Sequence, residues 1–359
     1  MFSIIFTFRD REIDRIVRCM DSLNNQTSKE FNVIFVDYGS DFVLSNKVEK
    51  VLEKYSFVKY FYGYNVDQPW NKSRAINFAI NTTDKEFVFT ADIDLIFHPR
   101  FVQKCKKMCS QETFITTYFQ VGYLKKDEDY KKNGFDGYVN FSLSNHEATG
   151  LTLFSKEMLF EIGGYDEFYH FWGAEDTDVH LKIIAKGYQI NYYDKDLILL
   201  HQWHKSYRAQ EKKYLTNSLQ LKGIVQLNYQ YLHKIENKSL KLNNGKLMSK
   251  EQYQRLLGLE SNFCIIENKV DVFDAWYYGV LLRGYNGEIN VRFVDMSSVI
   301  NIRDILKWLF IKKRSKFYSL KEINDKVLAY IISQNFNIYS YKVSENLNCI
   351  DFKLIREGI

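Results

Sequence analysis

The first half of the chain alternates between short, continuous apolar runs and longer segments in which apolar residues recur every three or four positions. The runs at 2–8, 31–36 and 58–62 have the length of buried strands. The segments 13–23 and 43–55 have the spacing of amphipathic helices. Strands and helices that alternate in this order indicate β-α-β units, and therefore an α/β fold with a parallel sheet.

The same pattern continues to about residue 200. It predicts helices over 71–80, 156–162 and 176–185, and strands over 86–91, 151–154 and 190–200. Ligands of doubly wound sheets bind beyond the carboxyl ends of the strands. Polar residues at those ends are therefore the first candidates for a functional site.

The chain is longer than a single compact core usually is. It has 359 residues, 46% of them hydrophobic, and single cores stop growing at roughly 250–300 residues. We therefore expect a catalytic domain over 1–210 and a C-terminal helical or mixed region over 211–359, in which site-like polar clusters no longer occur. Four roles of that region stay open: binding of an acceptor substrate, oligomerisation, contact with a membrane, and packing beside a second enzyme domain.

Three pairs of polar residues follow apolar runs in this pattern. They are Asp92 and Asp94, Glu175 and Asp176, and His201 and His204. Two carboxylates one residue apart, together with a later imidazole, form a donor set for a divalent cation that binds a diphosphate. The separate acidic pair can accept a proton. A metal-dependent sugar transferase needs these groups, although the acidic pair could instead cap a helix and the histidines could pack against Trp203.

The longest signature lies between Ala148 and Asp178. It contains Gly163-Gly164-Tyr165-Asp166-Glu167, followed by Trp172-Gly173-Ala174-Glu175-Asp176. This segment resembles the GG(F/Y)DE and WGxED motifs of inverting glycosyltransferases of the GT-A fold. The similar branch joins chondroitin-polymerase-like bacterial enzymes with polypeptide GalNAc-transferases and β-1,4-galactosyltransferases, and the resemblance covers about residues 1–207. It implies a Rossmann-like, mostly parallel central sheet flanked by helices.

The resemblance also assigns roles around the acidic pair. Asp176 aligns with the acidic residue that acts as base, and Glu175 with a residue that orients the acceptor. The residues alone do not decide which of the two is the base. Trp172 and Gly173 correspond to positions of the acceptor pocket, although a buried aromatic residue beside a glycine is the simpler structural explanation.

The metal ligands follow from two further motifs of the same family. Asp92-Ile93-Asp94 looks like its DxD motif, in which the second carboxylate binds the metal and the first the sugar or ribose, so Asp94 is the firmer ligand and Asp92 the second. The segment His201-Gln202-Trp203-His204 is similar to its HxxH motif, which places His204 ahead of His201 as a ligand. Imidazole combined with carboxylate and phosphate oxygens suits Mn²⁺, with Mg²⁺ as the alternative.

Four residues correspond to nucleotide-sugar-binding positions, to which Asp92 adds a fifth. Thr7 and Arg9 follow the first strand, and Asp37 follows the second, where the family holds base and ribose. Asp37 would accept a hydrogen bond from the uracil imide, which favours a uridine nucleotide, although Tyr38 stands where the family has a second acid. Arg74 resembles an arginine that contacts DxD or the diphosphate, and its charge complements Asp92.

Net charge and cysteine content bear on nucleic-acid binding and on the cellular compartment of the protein. A net charge of +5 does not indicate nucleic-acid binding, and five cysteines without a CxxC pair favour a reducing cytoplasm. The first apolar run has no basic leader and meets Arg9, so we expect no secretory signal. No apolar stretch reaches the ~18 residues of a membrane span.

Residues 303–317 alternate basic and bulky apolar side chains, which fits either peripheral contact with the inner membrane face or an ordinary helix over a core.

These observations favour one function over two alternatives. The leading hypothesis is a cytoplasmic, metal-dependent, inverting transferase that moves a hexose or N-acetylhexosamine from a UDP-sugar to a hydroxyl of a glycan or lipid-linked acceptor in surface polysaccharide synthesis. A sugar nucleotidyltransferase would carry a glycine-rich phosphate loop after the first strand, and Thr7–Arg11 lacks glycine. A catalytically degenerate glycan-binding module would have lost its carboxylates, and all four are present.

Overall fold

The computed structural model describes residues 1–130, 134–205, 212–234, 244–259, 263–284, 287–297 and 316–356. The chain forms two compact units. The first consists of Met1–Gly63, Trp70–Ala209 and Val225–Leu247, and the second of Tyr64–Pro69, Gln210–Ile224 and Met248–Ile359. The domain boundary at residue 210 stays a prediction, and the compact units differ from it in two places. Residues 225–247 group with the first unit and residues 64–69 with the second.

The first unit carries the elements expected from the apolar pattern. Its strands are β1 (Phe2–Phe8), β2 (Phe31–Asp37), β3 (Val58–Tyr62), β4 (Phe87–Ala91), β5 (Leu95–Phe97), β6 (Thr116–Phe119), β7 (Gly122–Leu124), β8 (Phe141–Leu143), β9 (Thr152–Ser155), β10 (Ile190–Tyr193) and β11 (Leu199–His201). Its helices are α1 (Ile13–Asn24), α2 (Phe42–Leu52), α3 (Lys72–Thr82), α4 (Phe101–Cys109), α5 (Lys156–Glu161), α6 (Glu175–Ala185) and α7 (Ile224–Lys234), with a 3₁₀ turn at Phe135–Gly137.

Seven strands form the central sheet in the order β10-β6-β9-β4-β1-β2-β3. The pairs β1–β2, β1–β4, β2–β3 and β6–β10 are parallel, whereas β9 runs antiparallel to both β4 and β6. Helices pack on both faces. The α/β class and the mostly parallel central sheet are therefore confirmed.

A second, smaller sheet has the order β5-β11-β7-β8. Strand β5 pairs antiparallel with β11, which places Leu95 opposite His201. The apolar pattern did not predict β5, because only three residues separate the DxD segment from the following turn. This short strand matters for the site, since it brings the chain just after Asp94 alongside the chain that ends at His201.

The core of the first unit lies on both faces of β1. All seven residues of β1 are buried, with Phe2, Ile4 and Phe6 in one apolar cluster and Ile5 in the other. Each fully buried side chain of this size stabilises the fold by about 1.5–3 kcal/mol relative to exposure. Strands buried on both faces are typical of sheets covered by helices on each side. The sheet is therefore a rigid platform for residues at its carboxyl edge.

The second unit contains a separate four-stranded sheet in the order β12-β13-β15-β14. Its strands are β12 (Cys264–Glu267), β13 (Glu288–Val294), β14 (Tyr339–Val343) and β15 (Cys349–Ile355), and its helices are α8 (Lys250–Gly258), α9 (Val270–Trp276), which continues into a π turn at Tyr277–Leu281, and α10 (Leu320–Gln334). The predicted additional C-terminal region of mixed structure is thus confirmed. Of the basic segment 303–317, residues 303–315 lie outside the described residues. In the part of the chain that is described, no helix has the length and apolar character needed to cross a membrane.

Candidate active site

The DxD segment lies between β4 and β5 at the carboxyl edge of the central sheet. Asp94 Oδ1 is 3.2 Å from His201 Nε2, and Asp94 Oδ2 is 3.1 Å from His204 Nε2. The backbone N–H of Gln202 donates to the Asp94 carbonyl at 2.8 Å, which fixes the register of the two segments. The structure therefore brings together three of the four predicted metal ligands.

The donor atoms of Asp94, His201 and His204 fit a divalent cation. One atom from each residue lies within 4.8 Å of the others, and the buried Asp94 Oδ1, although 3.2 Å from His201 Nε2, makes no hydrogen bond of regular geometry to the described residues. His204 Nδ1 lies 2.9 Å from the Lys205 carbonyl. A neutral His204 that donates from Nδ1 keeps the lone pair of Nε2 for a metal, which is the usual support of a ligating histidine. One carboxylate oxygen and two imidazole nitrogens suit a first-row transition metal.

The electrostatic environment of this cluster favours the binding of a cation. Burial acts to raise the pKa of Asp94, but His201 and His204 outweigh it and lower the pKa to about 2. The hydrogen bond to Asp94 is the main cause that raises the pKa of His204 above its ordinary value. The carboxylate is thus charged at any physiological pH.

The two residues between the histidines anchor the motif to α1. Gln202 is fully buried, and its Oε1 accepts a hydrogen bond from Arg18 Nε at 2.6 Å. The Trp203 carbonyl accepts from Arg15 at 2.9 Å, and the Trp203 N–H donates to the Tyr130 hydroxyl at 2.9 Å. Both intervening residues are thus held by other partners, and the two imidazole rings, whose centroids are 5.1 Å apart, both face Asp94.

A lysine that the sequence reasoning missed connects the DxD segment with the acidic pair. Lys72 Nζ lies 3.4 Å from Asp92, 3.6 Å from Glu175 and 3.5 Å from Asp176. Burial acts to lower the pKa of Lys72, but the carboxylates raise it well above its ordinary value. Lys72 is the first residue of α3, directly after the N-cap Asn71, and that position was the available signal.

Asp176 has the properties of a proton acceptor near neutral pH. Burial is the main cause that raises its pKa to about 7, with further increases from Glu175 and Asp92 and opposition from Lys72. Its Oδ1 atom is buried without a hydrogen-bond partner among the described residues. The N-cap of α6 is Ala174, and no side chain caps that end. Neither acidic residue is therefore the N-cap, although both lie in the first turn of α6, where carboxylates are favourable.

The structure pairs Arg74 with Glu167 and places Lys72 against Asp92. Arg74 Nε lies 2.9 Å from Glu167 Oε2, and both side chains are almost fully buried. Glu167 also accepts hydrogen bonds from Asn77 and from the backbone N–H of Gly245. Lys72 is thus a cation that contacts Asp92, which the sequence reasoning did not expect, and the role of Arg74 at the DxD segment or the diphosphate stays a prediction. Glu167, the last residue of the GGYDE motif, therefore has a structural role as the ion-pair partner of Arg74.

The predicted nucleotide-binding residues lie at the carboxyl ends of adjacent strands. Thr7 is the last residue but one of β1, which lies between β4 and β2, Asp37 ends β2, and Arg9 directly follows β1. Asp37 is fully buried, and its two oxygens accept hydrogen bonds from the Ser40 N–H at 2.8 Å and the Tyr60 hydroxyl at 3.0 Å. Burial raises the pKa of Asp37 to about 6.

The loop before α6 has unusual backbone geometry. Phe171, Gly173 and Ala174 have φ angles of +61°, +102° and +75°. Non-glycine residues in this region are uncommon, and such strain concentrates at functional sites. Trp172 is 40% exposed, so the simpler explanation of a buried aromatic residue is wrong for it. A partly exposed indole therefore lies next to the acidic pair.

Two family models match this chain. Residues 3–163 match the model described as "Glycosyl transferase family 2", and residues 138–205 match "N-terminal domain of galactosyltransferase". The human protein "Chondroitin sulfate synthase 3" is 28% identical over 120 residues, which cover 32% of this chain and 13% of that protein. The mouse "Chondroitin sulfate N-acetylgalactosaminyltransferase 2" is 24% identical over 212 residues, which cover 51% of this chain and 36% of that protein. Both curated relatives are thus much longer than the part they share with this chain.

A solved structure supports the same fold. The chain is similar to one described as "Crystal structure of GalNAc-T7 with UDP, GalNAc and Mn2+", with a TM-score of 0.50, 14% identity and coverage of 67% of this chain and 49% of that one. At this identity the likeness concerns the fold alone. It confirms the expected GT-A architecture.

Proposed function

We propose that this chain, whose residues 3–163 match a glycosyltransferase family model and whose fold is similar to that of a GalNAc-transferase structure, transfers a sugar from a UDP-sugar to a hydroxyl group in a metal-dependent, inverting reaction. The observation that carries the proposal is the juxtaposition of two clusters at one sheet edge. Asp94, His201 and His204 form one cluster. Lys72, Asp92, Glu175 and Asp176 form the other.

The first cluster would hold the metal. A carboxylate oxygen and two imidazole nitrogens suit Mn²⁺, and the similar GalNAc-T7 structure is described with Mn²⁺ and UDP. When bound, such an ion supplies positive charge that stabilises a departing diphosphate. Asp94 and the two histidines are therefore the proposed ligands, and Asp92, which Lys72 holds at 3.4 Å, faces the donor sugar or ribose.

The second cluster would move the proton. In the proposed step the acceptor oxygen attacks the anomeric carbon, the bond from that carbon to the diphosphate breaks, and Asp176 accepts the acceptor proton. Asp176 Oδ1, which has no hydrogen-bond partner in the described part of the chain, is the atom that takes it, while Lys72 holds Oδ2 at 3.5 Å. A base with a pKa near 7 is well matched to this task at neutral pH. Glu175, 3.6 Å from Lys72, then orients the acceptor, with Trp172 and Gly173 lining its approach.

The donor and the biological role belong to the same proposal. Thr7, Arg9 and Asp37 would contact the nucleoside at the ends of β1 and β2. A hexose or N-acetylhexosamine donor is consistent with relatives named for chondroitin and N-acetylgalactosamine transfer. A glycan or lipid-linked acceptor, a role in surface polysaccharide synthesis and a cytoplasmic location, with or without peripheral membrane contact, stay predictions from the sequence.

Hydrolysis of UDP-, GDP- and dTDP-sugars, with and without Mn²⁺, tests the proposal. Wild-type protein should hydrolyse one UDP-sugar only with the metal, and both Asp94→Ala and Asp176→Asn should lose this turnover. Asp84→Asn is the matched control, because its carboxylate pairs with Lys85 on the surface. Retention of metal-dependent turnover in folded Asp94→Ala would remove the assigned metal site. Failure of the wild type to bind UDP with Mn²⁺ in calorimetry would favour the degenerate glycan-binding module.

A further inference from the structure

Helix α7 follows the last residue that either family model matches, yet it packs against the loop that begins α6. We infer that Asn228 on this helix is a positioning residue of the transferase, which fixes the loop 170–174 and thereby the acidic pair. This inference rests on the proposed function. It assigns a role in catalysis to a helix that lies outside the recognised sequence motifs.

Asn228 bridges two carbonyl groups of the loop. Its side chain is fully buried, and Nδ2 donates to the carbonyls of His170 at 3.1 Å and Trp172 at 3.0 Å. Since both partners are acceptors, the amide nitrogen must be the atom that faces them. The Oδ1 atom of Asn228 is buried without a hydrogen-bond partner among the described residues. Among the described residues, the Asn228 side chain therefore makes hydrogen bonds only through its amide N–H donors.

The two hydrogen bonds span the strained part of the loop. They flank Phe171, which has φ +61°, and end directly before Gly173 and Ala174, with φ +102° and +75°. Strained backbone persists only where the surroundings over-determine it. Because Ala174 is the N-cap of α6, the loop conformation sets where Glu175 and Asp176 begin the helix.

Other residues of α7 contact Ala174 of the loop and the segment 166–169 directly before it. Tyr231 stacks on Phe168 with ring centroids 3.7 Å apart, and its hydroxyl donates to Asp166 at 2.8 Å. Leu232 joins an apolar cluster with Tyr169 and Ala174. These contacts hold α7 in place, so that Asn228 acts from a fixed support. Small displacements of a catalytic group can reduce turnover by about 100-fold.

The test compares Asn228→Leu with Gln226→Ala, which changes an exposed residue of the same helix. Donor hydrolysis and Mn²⁺–UDP affinity are measured below the unfolding midpoint of every variant. We expect kcat per folded molecule of Asn228→Leu to fall by about tenfold or more, with KM for the UDP-sugar and the calorimetric Kd for UDP within about twofold of wild type. Gln226→Ala should match wild type in all three.

Two results would overturn the inference. One is an unchanged kcat in folded Asn228→Leu, and the other is an equal loss of kcat and UDP affinity, which indicates general disruption. If Asn228→Leu does not fold, Tyr231→Phe combined with Leu232→Ala loosens the same helix and should lower kcat with UDP affinity kept; normal kcat there overturns the inference too. Failure of wild-type protein to bind UDP would instead refute the proposed function.

Discussion

Lys72→Met is the substitution that examines the second cluster most directly. Lys72 Nζ lies 3.4–3.6 Å from carboxylates of Asp92, Glu175 and Asp176. At an effective dielectric constant of about 20, the contacts with the mostly buried Glu175 and Asp176 are each worth ~5 kcal/mol before desolvation is subtracted, whereas the contact with Asp92, whose side chain is 41% exposed, is screened by solvent and is worth less. Removal of one member of a buried ion pair costs about 3–5 kcal/mol in practice. Lys72→Met should therefore lower the free energy of unfolding, and a urea titration measures the loss.

The same substitution should change the pH dependence of turnover. Asp176 must be deprotonated to accept a proton, so the wild-type kcat should rise about tenfold per pH unit below its pKa of about 7 and level off above it. Lys72 opposes the increase in that pKa. Its loss should move the acidic limb to higher pH, with kcat at pH 7 reduced and partly recovered in alkaline buffer. Lys72→Arg, which keeps the charge, should restore most of the wild-type profile.

Lys182→Met is the matched control for this experiment. Lys182 pairs with Asp178 at 2.8 Å on the same helix as Asp176, and its side chain is about as buried as that of Lys72. The control should lose stability while the acidic limb stays where it is in wild type. If the limb is unmoved in Lys72→Met as well, the lysine does not control the protonation of Asp176, and the assigned base is wrong.

Three further predictions follow from individual contacts. His204→Ala should weaken Mn²⁺ binding by about tenfold or more in calorimetry, because one of three donors is lost, whereas alanine at the surface residue His146 should leave it unchanged. Gly150→Ala places a Cβ 2.9 Å from Asp176 Oδ2 and should lower kcat by about tenfold, whereas Gly258→Ala, with open space around it, should not. Glu167→Gln leaves Arg74 buried without its anion and should cost about 3–5 kcal/mol of unfolding free energy in urea, and an unchanged midpoint would show that the pair adds no stability.

Residues that follow long buried strands could be placed from the sequence. Asp92 and Asp94 follow β4, and Asp37 ends β2, so the apolar runs alone located them at the carboxyl edge of the sheet. In these cases one local pattern determines both the element and the edge at which its last residue lies. The segment 190–200 before the histidine motif was expected to contain one strand, and the structure divides it into β10 in the central sheet and β11, which ends at His201, in the smaller sheet.

The roles of the basic residues could not be separated in this way. Lys72 and Arg74 are two positions apart on the same helix, and both charges complement a carboxylate in the site. Which of them faces Asp92 depends on where α3 begins and on Glu167, which lies 93 positions from Arg74 and takes that arginine into a buried pair. A pairing between distant residues has no local signature, so the sequence pattern could not choose between the two cations.

Asn228 shows why the functional part of the chain could not be bounded by motifs. Motifs mark residues whose chemistry is required, and a side-chain amide that donates to two backbone carbonyls needs only an asparagine at the correct place in space. The strained φ angles of Phe171 and Ala174 are likewise invisible in the sequence, because neither residue is of a type that favours them. A loop forced into such a conformation requires a partner outside itself, and α7 supplies that partner from beyond the recognisable motifs. The extent of a catalytic unit is therefore set by what stabilises its strained loop as well as by the residues that react.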